Sequence, residues 1–316
     1  MLAAVALAAT APGASPAHIA QTIGHWAPPH GLRQEPLWPS APSDARRPAG
    51  PPEHSETGTN PKRFAGRPVT GVYDVAIPAL TIFPPTARSR HAAVLVFPGG
   101  GFKQLAIDLE GSEACDWFAA RGFTCALVKY RVPDSDHHYD PACDCGVTPA
   151  RLTAWQDAQR AIRIVRARAA TLAVDPRRVG VAGFSAGGFL VARVSNMVEP
   201  AYARTDAIDR ASSRPDFAIA LYPGHLCRDG RSFDPGLAVR KDAPPTFLVA
   251  AWNDPTDPTC NSTQYARALA EAGVPAEVHL FARGGHAFGL RPTGSPVDHW
   301  PDLLEAWLDR LLPAEK

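Results

Sequence analysis

From residue 69 onward, short apolar runs alternate with polar, turn-rich stretches. The runs fall near 69–75, 78–83, 92–97, 123–129, 178–183, 216–221, 246–251 and 276–281. Runs this short and this continuously apolar, such as Ala92 to Phe97, read as strands buried on both faces. After the first pair they alternate with segments of helical spacing at 111–121, 152–170, 186–197, 262–272 and 299–312. Within 152–170, Ala158, Ile162, Val165 and Ala169 recur at core spacing, which predicts that the Arg and Gln positions of that helix face solvent. Gly122 and Gly273 stand where helix C-caps are expected. The alternation predicts an α/β fold with a mostly parallel central sheet of about eight strands and helices on both faces.

Upstream of residue 69 the periodicity is lost. Pro, Gly and Ser dominate from Ala27 to Pro68, so residues 18–68 read as an extended arm, packed over the domain or partly disordered. Residues 69–316 then form one domain, large enough with 45% apolar residues in the chain to bury a substantial core. Residues 1–17 combine an apolar stretch with small residues, like a secretory signal that lacks its basic start, and predict export to a periplasmic or extracellular location. That stretch is too short to span a bilayer. The 32 Lys and Arg nearly balance the 31 Asp and Glu, a formal charge of +1 that argues against nucleic acid or a polymeric acid as partner.

Candidate chemistry sits where strands end. The run Arg178 to Phe184 leads into Gly183-Phe184-Ser185-Ala186-Gly187 and on into a helix-compatible segment. This is the nucleophile-elbow pattern, in which glycines permit a turn sharp enough to present Ser185 above the sheet. A serine hydroxyl needs a base to accept its proton and a carboxylate to orient that base. After the strand Thr246 to Ala251 comes Trp252-Asn253-Asp254-Pro255-Thr256-Asp257-Pro258, which places Asp254 first and Asp257 second as the acid. After the strand Ala276 to Phe281, Gly284-Gly285-His286 forms a loop able to carry the imidazole over the sheet. Upstream, Pro98-Gly99-Gly100-Gly101-Phe102 follows a buried strand. Its backbone N–H groups, from Gly100 or Gly101, together with that of Ala186, are the expected donors to an oxyanion. Neither common nucleotide-binding glycine pattern fits residues 98–103.

Taken together, these stretches, with Leu109-Glu110-Gly111 and Val128-Lys129-Tyr130-Arg131-Val132-Pro133, resemble the α/β-hydrolase esterases of the acetyl xylan esterase and feruloyl esterase type. The resemblance implies an α/β-hydrolase fold, a Ser185–Asp254–His286 triad and an acyl-enzyme route that needs neither metal nor organic cofactor. It implies removal of small acyl groups, acetyl foremost, from a small-molecule or polysaccharide ester such as acetylated xylan. Phe102, Tyr130, Tyr222 and His225 are the pocket-wall candidates. The alternatives are a short-chain carboxylesterase or feruloyl esterase, and a catalytically silent carbohydrate-binding relative. The family commonly has paired aspartates where this chain has Asn253-Asp254.

Six cysteines, at 115, 125, 143, 145, 227 and 260, leave their connectivity open. Cys115 and Cys125 fall in a helix and a strand and read as buried thiols. Cys143-Asp144-Cys145 with His137 and His138 is a weak zinc pattern, and disulfides from this loop to Cys227 or Cys260 fit an exported protein better.

Overall fold

The computed structural model describes residues 22–39, 51–134, 138–140, 145–147, 152–197, 199–228 and 230–313. The segment read as a secretory signal, and most of the His- and Cys-rich loop, lie outside them. The main sheet has eight strands: β1 (Gln34–Pro36), β2 (Ala79–Phe83), β3 (Ala93–Phe97), β4 (Thr124–Lys129), β5 (Val179–Phe184), β6 (Ala218–Leu221), β7 (Thr246–Ala251) and β8 (Ala276–Phe281). Their spatial order is β8-β7-β6-β5-β3-β4-β2-β1. All neighbours from β8 to β4 run parallel, and β2 and β1 add antiparallel pairs at one edge. Every residue of β3, β4, β5, β6 and β7 is buried. That is why these strands read as unbroken apolar runs, whereas β8 at the far edge alternates.

The chain leaves β3 for β4 on one side and later enters β5 on the other, so the sheet has a topological switch beside β3. In open α/β sheets the crevice outside the carboxyl ends of strands at such a point is where ligands bind. The helices are α1 (Glu113–Ala119), α2 (Leu152–Ala167), α3 (Ala186–Asn196), α4 (Cys260–Glu271) and α5 (Trp300–Leu311). Gly122 and Gly273 take positive φ after α1 and α4. In both, the next residue's N–H reaches back to the helix, Phe123 to Phe118 and Val274 to Leu269, which closes a Schellman cap.

Four expectations are corrected. The strand near 69–75 is Arg67–Tyr73, and it belongs to a separate antiparallel sheet with Thr22–Gly24, His54–Phe64 and Gln104–Ala106. Only Gly71 and Val72 of this strand are buried, which suits a one-faced sheet better than the double-sided core. Its place in the main sheet is taken by β1, from the proline-rich segment read as an extended arm packed over the domain or partly disordered. Pro36 is tolerated there because β1 is an edge strand, and Leu37 and Trp38 directly after it enter the core.

The polar residues of α2 are the second correction. Ala158, Ile162, Val165 and Ala169 are buried as predicted, but so are Gln156, Gln159, Arg160 and Arg163. Residues 199–210 and the arm lie over that face. Gln156 and Gln159 donate to the carbonyls of Ala201 and Glu199 (3.1 and 3.0 Å), and Arg160 donates to Leu37 O, Asp206 and Asp209. The cysteines supply the other two. Cys115 is disulfide-bonded to Cys125, joining α1 to β4, and Cys227 is bonded to Cys260 at the start of α4. The Cα separations of 5.2 and 5.8 Å lie in the range a disulfide requires. The first pair are therefore not free thiols, and Cys227 and Cys260 are unavailable to the Cys143–Cys145 loop.

Asp157 of α2 anchors this side of the molecule. It accepts from Arg131 Nε and Nη2 (2.8 and 2.7 Å), from the Arg131 backbone N–H (2.9 Å) and from Trp38 Nε1 (2.8 Å), all buried. Removing one partner of a buried ion pair leaves the other charge uncompensated. Arg131→Met is therefore expected to lower unfolding free energy in urea by about 3–5 kcal/mol, and a loss below about 1 kcal/mol would contradict this role.

Candidate functional site

The site is built where β3, β5, β7 and β8 end. Ser185, between β5 and α3, has φ 51° and ψ −116°, a conformation L residues rarely adopt. The turn closes so tightly that a Cβ on Gly183 would lie 2.2 Å from Gly187 O, and one on Gly187 would lie 2.0 Å from Phe97 O. Only glycine fits at either position. Phe102, Tyr222, His225 and Ala287 also take positive φ, so backbone strain is concentrated around the same crevice.

Three groups expected to converge do so. His286 Nε2 lies 3.0 Å from Ser185 Oγ, and Nδ1 lies 2.7 Å from Asp254 Oδ2, with the Asp254 side chain fully buried. The loop carrying His286 is held from beneath by Asn253, whose Oδ1 accepts the N–H groups of Gly284 and Gly285 (both 2.9 Å). Asp257, the second choice for the acid, lies on the Nε2 side of the imidazole and not at Nδ1. The Ser185 hydroxyl donates to Asp257 Oδ2 at 3.0 Å, and that oxygen lies 3.7 Å from His286 Nε2.

The glycine-rich loop after β3 faces this cluster. Gly100 (φ 131°) and Gly101 (φ 64°) line the same cavity as Ser185. Ala186 opens α3, where first-turn N–H groups lack intrahelical partners. The Gly99 N–H is taken by Glu110 Oε2 (2.9 Å), whose other oxygen accepts from Tyr222 OH (2.9 Å). Glu110 is thus a buried strut between the glycine loop and the segment after β6. In the sequence it stands out only within the Leu109-Glu110-Gly111 stretch of the family resemblance.

Among the described residues the cavity at Ser185 has a volume of about 500 Å³, walled in part by Phe64, Val69, Gln104 and Leu109. Of the predicted wall residues only His225 reaches it. Phe102, Tyr130 and Tyr222 are fully buried one layer behind, where aromatic bulk is accommodated by packing rather than exposed to a ligand. Phe102 packs on Phe189 and His225, Tyr130 OH donates to Pro98 O (2.6 Å), and Tyr222 lies edge-on to His286. The apolar walls contributed by Phe64 and Val69 come from the small sheet, which the sequence does not link to the site. Arg291 fastens that sheet by donating to Pro68 O (2.8 Å) and to Glu113 (2.7 Å).

Charge in the cluster is unevenly balanced. Burial, the largest influence on His286, disfavours its charged form. The Asp254 hydrogen bond and the nearby Asp257, Asp254 and Glu110 charges outweigh it and raise the imidazole above its usual 6.5. Burial pushes Asp257 up to about 6 despite the opposing influence of His286 and Ser185. Glu110 is likewise raised, chiefly by burial. Among the described residues no group of three or more His, Cys, Asp or Glu is placed to hold a metal ion, and no helix is long and apolar enough to cross a membrane.

The proteins to which this chain is similar include esterases. The BD-FAE family model matches residues 80–219. An acetylxylan esterase of Xylanibacter ruminicola is 29% identical over 71% of this chain and 46% of its own length. The acetyl ester-xyloside bifunctional hydrolase of Caldicellulosiruptor lactoaceticus superposes with a TM-score of 0.66 at 29% identity, covering 88% of this chain and 96% of that one. The chain has an α/β-hydrolase fold and is similar to acetyl xylan esterases. This α/β-hydrolase spans less than half the length of the Xylanibacter relative. It is also 27% identical to the carboxylesterase NlhH of Mycobacterium tuberculosis, over 64% of this chain and 68% of that one.

Because the folded α/β-hydrolase holds the His286 proton above the ordinary imidazole value, that proton's stabilising contribution is complete below 6.5 and is lost as pH rises through the folded value. An NMR titration of His286 is expected to give a midpoint above 6.5, lowered in Asp257→Asn. A midpoint at or below 6.5 in the unmodified protein would contradict the electrostatic account.

Proposed function

We propose that this chain is a serine carboxylic-ester hydrolase that removes small acyl groups, acetyl foremost, from carbohydrate esters. The observation that carries the reading is the continuous contact from Asp254 through His286 to Ser185, 2.7 and 3.0 Å, at the floor of an open cavity. Neutral His286 accepts the Ser185 proton at Nε2 while Nδ1–H donates to Asp254. The freed Oγ attacks the acyl carbon, and the N–H groups of Ala186 and of Gly100 or Gly101 take up the oxyanion charge. Collapse of the tetrahedral adduct breaks the bond to the alcohol oxygen, which receives the proton from Nε2. Water then donates a proton to His286, its oxygen attacks the acyl-enzyme, and the acid leaves as Oγ regains its proton.

Support for a sugar ester comes from the names of the two similar proteins, an acetylxylan esterase and an acetyl ester-xyloside hydrolase. The similarity to NlhH favours a second reading, a general short-chain carboxylesterase. Export is part of the proposal, and the Cys115–Cys125 and Cys227–Cys260 disulfides support it, since such bonds persist in oxidising compartments.

Hydrolysis of p-nitrophenyl acetate is expected to exceed that of the butyrate and octanoate esters, with acetate released from acetylated xylan. Ser185→Ala should lower kcat for each by a factor of about 10³ or more. A preference for octanoate would overturn the sugar-acetate assignment. Equal rates in Ser185→Ala would remove Ser185 as the nucleophile.

A further inference from the structure

Asp257 presents a physical problem to the reaction just described. In the resting site one hydroxyl proton on Ser185 has two acceptors, His286 Nε2 and Asp257 Oδ2, each 3.0 Å from Oγ. Catalysis requires the proton to go to His286. Once it does, and Oγ is bonded to the acyl carbon, Asp257 Oδ2 loses its donor. The Asp257 side chain is only 12% exposed, and among the described residues His286 is its only ion-pair partner. A buried acceptor left without a donor costs free energy, more so when it is charged.

The substrate is placed to replace that donor. In the second half of acyl transfer the alcohol oxygen must lie against His286 Nε2 to receive its proton. Asp257 Oδ2 is 3.7 Å from that nitrogen. A hydroxyl on the carbon next to the ester-bearing carbon stands within hydrogen-bond reach of the ester oxygen, close enough to be turned toward Asp257 Oδ2 when that oxygen lies against Nε2. An aryl or simple alkyl ester has nothing to offer there.

We propose that Asp257 is a specificity-determining residue whose carboxylate accepts a hydrogen bond from a free hydroxyl vicinal to the ester, making partially acylated polyols the substrate class. The inference rests on the ester-hydrolase reading and adds to it the chemistry that distinguishes a sugar ester from any other acetate. It also gives a role to a carboxylate that the proton relay does not use.

The test compares three small acetates with the full chain: trans-2-hydroxycyclohexyl acetate, its 2-methoxy analogue, and cyclohexyl acetate. The free hydroxyl is expected to raise kcat/KM by at least about tenfold over both others. Blocking it as the methyl ether keeps the oxygen but removes the donor, so this arm needs no variant. In Asp257→Val the advantage should collapse towards unity, and Asp257→Asn, which keeps an acceptor oxygen, should retain part of it. Equal kcat/KM for the three acetates in the unmodified protein would overturn the inference while leaving the hydrolase reading intact. So would an unchanged ratio in Asp257→Val. Turnover of none of them, with p-nitrophenyl acetate also inert, would overturn the hydrolase reading and the inference together.

Discussion

Everything at this site hangs on how closely two backbones approach at the end of β5. With Gly187 against the Phe97 carbonyl and Gly183 against the carbonyl of Gly187, the turn, the start of α3 and the end of β3 are locked in one arrangement. Ser185 pays in strain for its position, with φ at 51°. What the strain secures is that Ser185 stands at the start of α3, in the cavity that the glycine loop after β3 also lines. A side chain at Gly187 would push α3 off the end of β3, and one at Gly183 would push α3 off β5, while β3 and β5 are adjacent at the centre of the sheet. The constraint is therefore structural and chemical at once.

Around that fixed point, three acids surround one imidazole, and geometry gives each a different task. Asp254 holds Nδ1, Asp257 faces the serine, and Glu110 ties the Gly99 N–H to Tyr222 away from the cavity. Burial raises both Asp257 and Glu110, and the negative field they share with Asp254 favours the protonated imidazole. In the proposed reaction such a field stabilises the imidazolium formed during attack and restrains its loss of the proton beforehand. A partner that neutralises or hydrogen-bonds Asp257 shifts that balance.

The parts legible in the sequence share a property: each is fixed by local pattern. Unbroken apolar runs located β3 to β7 and an alternating run located β8, while glycine positions located the elbow, the loop after β3 and the helix caps. Ser185, Asp254 and His286 follow strands, so strand order brought them to one edge. What escaped depends on long-range burial. Gln156, Arg160 and their neighbours look solvent-facing on α2 until residues 199–210 cover them. Phe102, Tyr130 and Tyr222 have the right chemistry for a pocket wall but lie one layer too deep, while Phe64 and Val69 arrive from a separate sheet. The pairing of Cys115 with Cys125 likewise depends on α1 lying beside β4, which spacing alone does not reveal.

The central claim is that Ser185 is uniquely nucleophilic because His286 takes its proton. The most direct measurement is exposure of the protein to a fluorophosphonate, followed by mass spectrometry of its peptides. A single adduct on Ser185 is predicted, formed rapidly in the unmodified protein and lost in His286→Ala with the fold retained by circular dichroism. Labelling elsewhere, or labelling of Ser185 that proceeds at the same rate without His286, would contradict the account.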